Sequence, residues 1–286
     1  MTTFEMIKYH KHTYPDDIPL YIEEIAAHFD VQKISGQLKY SLHTEYSYGK
    51  RKFNSSLILG LPEILASQKD GVPQLWKNEL WALQFAEFIL TLMGSEIPAV
   101  IEIHPPFDDY IDMKSFIRCY SIFENKIKEH FPKVKILIEN RCGSIYRGGK
   151  FLISKLQDIT SLCEYIEKKS LLLKIAYDIP QIYTAHRADN EKAYISLLEQ
   201  TKTLRSYIGG VHLWGKRLSN TGRKVSHCGD LNSYFGNDST KEAFLQAFSN
   251  CFDDNIPRKM VLEVNSGNDD LMSIISDLQN SGIQFI

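Results

Sequence analysis

The sequence predicts a (β/α)8 barrel, and three observations carry that expectation. Short β-rich apolar runs alternate with longer amphipathic runs along the chain, the signal of βαβ units around a parallel sheet. The short runs are apolar on both sides, as strands covered on both faces must be. Each of the six clearest runs also carries, at or within one or two residues of its end, a side chain able to bind a metal, and in parallel barrels the carboxyl ends of the strands converge on one site.

The front of the chain is the least regular part. Residues 3–9 read as a first strand, 18–28 as helical and 31–34 as a short second strand. The gap that follows is too small for a full helix, so a truncated or distorted second β/α unit is expected. The clear strand runs are 38–43, 99–104, 134–139, 172–178, 210–213 and 260–264. Between them, Trp81, Phe85, Phe88 and Leu92 recur at helical spacing, as do Leu152, Leu156, Ile159 and Ile166, and both sets read as core. Ser239 with Glu242 reads as a capping box before the helix holding Phe244 and Phe248.

With 286 residues the chain is long for one domain but ordinary for a single barrel. Apolar residues make up 43% and charged residues 24%, ample for a large core and unlike a disordered chain. The net charge of −2 argues against an all-over cationic surface but allows a basic patch on one face. The five cysteines form no C-x-x-C pair, which fits a reducing compartment better than a disulfide framework or a cysteine zinc site. Neither a signal peptide nor an apolar run of bilayer length is evident, so a cytoplasmic protein without a membrane partner is expected.

The candidate site is the set of strand-end residues His43, His104, Glu139, Asp178, His212 and Glu263. A single histidine at a strand end is usually a polar residue at a solvent boundary. Six converging imidazoles and carboxylates, the ligand types of zinc and manganese, mark a metal site. His10, His12, His28, His130 and His186 fall on no strand end in this reading and are taken as surface or structural. Arg147-Gly148-Gly149-Lys150 lacks the spacing of a Walker loop, and neither a G-x-S-x-G elbow nor a G-x-G-x-x-G fingerprint is present.

From about Leu38 to Val264 these residues resemble the endonuclease IV branch of the xylose isomerase-like barrels. His43 with Tyr46 matches that family's histidine followed by tyrosine. His104-Pro105-Pro106 stands where it has His-Pro-Gly. Glu139, Asn140 and Gly143 match Glu-Asn-x-x-Gly, and His212 and Glu263 match its strand-end residues. Two ligand positions depart: Gln181 follows Asp178 where the family has histidine, and Val225 stands where it has the aspartate before His227.

The resemblance implies a metal-dependent hydrolase of phosphodiester bonds in nucleic acid, using clustered zinc ions. By this likeness His43, His104 and Glu139 would hold one metal. Glu139 would bridge to a second, held by Asp178, His212 and Glu263. Glu139 and Glu263 would be the catalytic carboxylates. The third metal would need Gln181, Val225 and His227, and amide and isopropyl groups do not replace imidazole and carboxylate. Two divalent ions are therefore expected, zinc first and manganese or magnesium as alternatives, with His227 a weak ligand.

A phosphate-bearing partner is further suggested by basic strand-end loops: Lys50, Arg51 and Lys52; Arg141, Arg147 and Lys150; and Lys216, Arg217, Arg223 and Lys224. Tyr46, Tyr48 and Tyr146 interleave them and are candidates to stack on bases. The same charges are equally those of ordinary solvated loops. Two rivals stand beside this reading. One is a sugar isomerase or epimerase with a single metal. The other is a catalytically altered barrel that only binds nucleic acid or a partner.

Overall fold

The computed structural model describes residues 2–47, 50–145 and 149–286. Eight parallel strands close into a barrel: β1 (Thr3–Lys8), β2 (Ile22–Ala27), β3 (Lys39–Thr44), β4 (Val100–Ile103), β5 (Lys135–Glu139), β6 (Lys174–Asp178), β7 (Ile208–Leu213) and β8 (Arg258–Leu262). β8 pairs with β1, Met260 opposite Met6, and so closes the ring. The helices outside it are α1 (Glu79–Met93), α2 (Met113–His130), α3 (Leu156–Lys169), α4 (Ile179–His186), α5 (Glu191–Thr201), α6 (Asp238–Cys251) and α7 (Asn268–Asn280). Among the described residues no helix is long and apolar enough to cross a membrane.

The first quarter departs from the repeat: the second β/α unit lacks its helix, as the sequence suggests, but the strand and helix bounds differ from those read there. Residues 22–27, read as part of a helix, form β2, and residues 31–34, read as a strand, are coil. The segment Ile22–Ala27 carries Glu23 and Glu24 inside an apolar run, a pattern that periodicity alone does not assign. Pairing on both edges, Ile7 with Ile22 and Leu42 with Ile25, decides for strand. Neither the 9–21 nor the 28–38 connection contains a helix.

Phe29 takes over the covering role behind β2. It is fully buried, with Phe53, Trp81, Phe85 and Phe88 around it at centroid distances of 5.1 to 6.3 Å. Val31 and Ile34 pack against the same core. Because one ring replaces a missing helix, Phe29→Ala should cost about 3–5 kcal/mol in a urea unfolding measurement, the usual loss for a buried aromatic.

The helices expected around residues 81–92, 156–166 and 244–248 are present, with their apolar stripes inward. Trp81, Phe85, Phe88 and Leu92 are buried on α1, and Leu156, Ile159 and Ile166 on α3, while Leu152 precedes that helix. The cap of α6 is Asn237, whose side chain accepts from the Thr240 N–H; Ser239 lies within the first turn instead. At the amino end of β8, Arg258 is buried. It donates to both Asp254 carboxylate oxygens at 2.7 Å and to the carbonyls of Ile208, Arg205 and Ile256. This network locks the barrel floor opposite the strand ends that carry the candidate site.

Candidate metal centre

Parallel strands deliver the named side chains to one end of the barrel. Ligand atoms of His43, Glu102, His104 and Glu139 lie within 4.8 Å of one another, and so do those of Glu139, His212 and Glu263. Glu139 belongs to both groups. His104 and Glu139 approach at 2.9 Å, His212 Nδ1 and Glu263 at 3.0 Å, and His227 Nδ1 and Glu263 at 3.2 Å.

The donor chemistry fits a divalent cation. His104 Nε2, His212 Nδ1, His227 Nδ1 and Glu102 Oε1 are buried with no hydrogen-bond partner among the described residues. The imidazole nitrogens stand 2.9 to 3.2 Å from carboxylate oxygens and crowd around common points, as a set of ligands does. The other nitrogen of His104 is held: Nδ1 lies 3.2 Å from the Glu45 carbonyl, which accepts its N–H and leaves Nε2 with a free lone pair. Trp76 Nε1 donates to the His104 carbonyl at 2.8 Å and fixes the backbone there.

Electrostatics follow from packing acids and imidazoles out of water. Burial opposes charge on Glu139, but Arg141 and His104 outweigh it and hold the carboxyl well below the usual range. Burial likewise opposes charge on Glu263, and His212 and His227 overcome it. His212 is held well above the ordinary histidine value because Glu102 and Glu263 outweigh its burial. His43 is pushed well below by burial and by His104.

Asp178 is placed differently from the other strand-end residues. Its Oδ1 accepts the Gln181 N–H at 2.8 Å, so it is the N-cap of α4, and its Oδ2 accepts Trp214 Nε1 at 3.0 Å. Burial, with Glu263 and Glu139 nearby, raises it to about 7. Asn140 fixes this strand end from both sides, donating to the Asp178 carbonyl and accepting its N–H. Gly143 then turns the chain with φ of +68°, a left-handed conformation that glycine adopts without strain.

The departures from the three-metal pattern have visible consequences. Gln181 donates its side-chain N–H to Glu139 Oε1 at 2.8 Å, so an amide braces the shared carboxylate. Val225 lies exposed on a hairpin formed by Lys216–Leu218 and Lys224–Ser226. His227, at the hairpin's base, stacks on Trp214 at 4.2 Å.

The basic residues divide into two sets. Arg51 donates to Glu45 at 2.7 Å and lies over the Tyr46 ring; Arg141 donates to Glu139 at 2.7 Å. Both are already paired with buried carboxylates. Lys216 sits over Trp214 and Tyr234 and donates to Thr184 Oγ1, and burial lowers its affinity for a proton. Lys50, Arg217, Arg223 and Lys224 are exposed, with Arg217 NH1 3.7 Å from Asp270. Tyr48, Tyr146 and Arg147 lie outside the described residues. Clefts at the rim, one lined by Lys50, Lys69 and Phe107 and another by Cys142, Lys150 and His186, flank the cluster rather than contain it. The convergent ligands, not cleft size, locate the chemistry.

Three inward residues have no counterpart in the sequence reading. Glu102 stands within β4, not at its end, with Oε2 2.9 Å from His212 Nε2. Glu24 on β2 faces the same interior: burial, then Glu263 and Glu102, raise its carboxyl well above the usual value. His28, set aside as structural, follows β2 and has Nε2 3.4 Å from His43 Nδ1. Correct placement of β2 would have exposed the last two.

Fold and strand-end cluster together describe a TIM barrel whose strand ends converge on one set of candidate metal ligands. Among solved structures, the chain is similar to a D-tagatose 3-epimerase-like protein, with 12% identity, 97% of each chain covered and a TM-score of 0.50. It also matches a xylose isomerase domain protein from Planctomyces limnophilus, with 15% identity and a TM-score of 0.41, over 70% of this chain and 64% of that one. A third match, "The crystal structure of AsfvAP:AG", has 13% identity and a TM-score of 0.48, covering 85% of this chain and 73% of that one. The chain thus spans less than two thirds of the xylose isomerase domain protein. At these identities the likeness is one of fold. No family model and no curated protein matches the sequence.

Proposed function

We propose that this barrel is a metal-dependent phosphodiesterase acting on nucleic acid, with two divalent ions, zinc by preference. The observation that carries the reading is the pair of ligand groups sharing Glu139. Two adjacent cation sites suit a phosphodiester, whose attacking and leaving oxygens both need charge stabilisation. His43, His104 and Glu139 would hold one ion, and Glu139, His212 and Glu263 the other. Asp178 would join them only by giving up its hydrogen bonds to Trp214 or α4.

Bound ions would supply Lewis acidity toward the phosphoryl oxygens. The chain's own residues do the rest. Arg141 and Gln181 hold Glu139 in one orientation, each donating to one carboxylate oxygen. Glu263, flanked by His212 and His227, would ligate the second ion and keep both imidazoles turned toward the centre. Tyr46 carries the Arg51 and Arg141 guanidinium groups over its ring, 4.4 and 5.7 Å from the centroid, and so gathers both cations beside His43 and His104. Lys50, Arg217, Arg223 and Lys224 supply exposed cations for a polyanion's backbone.

The end-to-end match in fold to a D-tagatose 3-epimerase-like protein favours a second reading, epimerisation or isomerisation of a ketose. The test is incubation with abasic-site duplex DNA and with single-stranded DNA, with zinc, manganese or magnesium and with a chelator, beside a parallel assay on free ketoses. Cleavage abolished by the chelator supports the phosphodiesterase. Absence of cleavage under every metal condition, with turnover of a ketose, replaces it by the epimerase.

A further inference from the structure

We propose that Glu102 couples the two cation sites: one carboxylate oxygen ligates the ion held by His43, His104 and Glu139, while the other fixes the tautomer through which His212 serves the second ion. The inference rests on the metal reading above and adds a residue that the strand-end pattern omits.

Glu102 is buried at 2% exposure, and its Oε1 has no hydrogen-bond partner among the described residues. A buried carboxylate oxygen without a donor is costly unless a cation meets it. That oxygen lies 3.9 Å from His43 Nε2, and His43, Glu102, His104 and Glu139 form one group of mutually close ligand atoms. Two ligands each about 2.1 Å from one ion stand roughly 3 to 3.5 Å apart, so a small inward movement of His43 or Glu102 completes the set.

The second oxygen does different work. His212 Nε2 lies 2.9 Å from Glu102 Oε2 in hydrogen-bond geometry, while His212 Nδ1 lies 3.0 Å from Glu263 Oε1 without it. With the proton on Nε2 donated to Glu102, the Nδ1 lone pair is turned toward Glu139 and Glu263. Carboxylate–histidine pairs of this kind orient a ligand and raise its basicity. Glu139, by contrast, already carries a donor on each oxygen, from Gln181 and Arg141. Glu102 is thus the carboxylate that reaches a member of each group with one oxygen still uncommitted.

The experiment counts ions per chain by elemental analysis after equilibrium dialysis against zinc, and reads the imidazole nitrogens of zinc-loaded protein by 15N NMR. Wild type is expected to hold two ions, with His212 protonated on Nε2 and ligating through Nδ1. Glu102→Gln keeps an amide oxygen to accept from His212 but loses the anionic ligand, so it should hold one ion. Glu102→Leu also loses the acceptor, and the remaining ion should bind about 10- to 100-fold more weakly. Glu102→Gln holding two ions with wild-type affinity, or His212 ligating through Nε2 in the wild type, overturns the proposal. The second measurement needs no variant and therefore decides the matter even if Glu102→Leu fails to fold. A wild-type chain that takes up no ion overturns the metal reading and this inference together.

Discussion

Glu139→Gln should strip the centre of ions and lower kcat/KM by about a hundred- to a thousandfold on whichever phosphodiester the wild type cleaves. Glu139 is the one side chain common to both ligand groups, so its amide leaves neither group complete. Glutamine keeps the shape and one oxygen to accept from Arg141, and the fold should survive. The loss therefore registers as metal content and rate rather than as unfolding, and circular dichroism with elemental analysis separates the two. Retention of both ions and of full activity would remove Glu139 from the mechanism. The contrast with Glu102→Gln, expected to lose one ion, distinguishes a shared ligand from one that belongs to a single group.

Asp254→Ala should destabilise the fold by about 3–5 kcal/mol without changing ion uptake, because it leaves the buried Arg258 guanidinium without its charge partner. The three carbonyls that also accept from Arg258 do not neutralise it. The same pair gives stability a sign in pH. Hydrogen bonds from Arg258 hold the Asp254 carboxyl below its usual value. Above the unfolded aspartate value, about 3.9, the full contribution is present; it is lost as pH falls through the folded value. Urea midpoints at pH 7 and pH 3 check this: the gap between wild type and Asp254→Ala should narrow in acid. An unchanged gap would mean that Arg258 is held by its carbonyl partners alone.

The parts of the site legible in the sequence were those in which a strand ends on a polar residue. Runs such as 134–139 and 210–213 announce both a buried strand and the side chain that leaves it, and the eight-stranded barrel follows from their repetition. What stayed hidden was polar chemistry within strands. Glu102 is flanked by Ile101 and Ile103, and its inward direction is a fact of closure around the barrel, not of local pattern. Glu24 and His28 were concealed by the reading of residues 18–28 as helix, which tertiary pairing overrides. Asp178 carried a second signal beside its strand-end position: an acidic residue two places before Pro180 is also a helix-start pattern, and the structure uses that function.

The contacts of Trp214, Asp178 at its indole N–H and His227 on its face, give the protein an optical consequence. Of its three tryptophans, Trp76 and Trp81 pack against one another in the apolar layer, at a centroid distance of 5.3 Å. Trp214 alone donates its indole N–H to an acidic residue of the centre and stacks on an imidazole that faces Glu263. Its excited state is therefore sensitive to the charge on both neighbours, since a protonated imidazole quenches indole emission and a neutral one does so far less. The chain carries a native fluorophore at the edge of its own cation cluster. Changes in its emission would follow the centre's filling and emptying in real time, with no label and before any substrate is known.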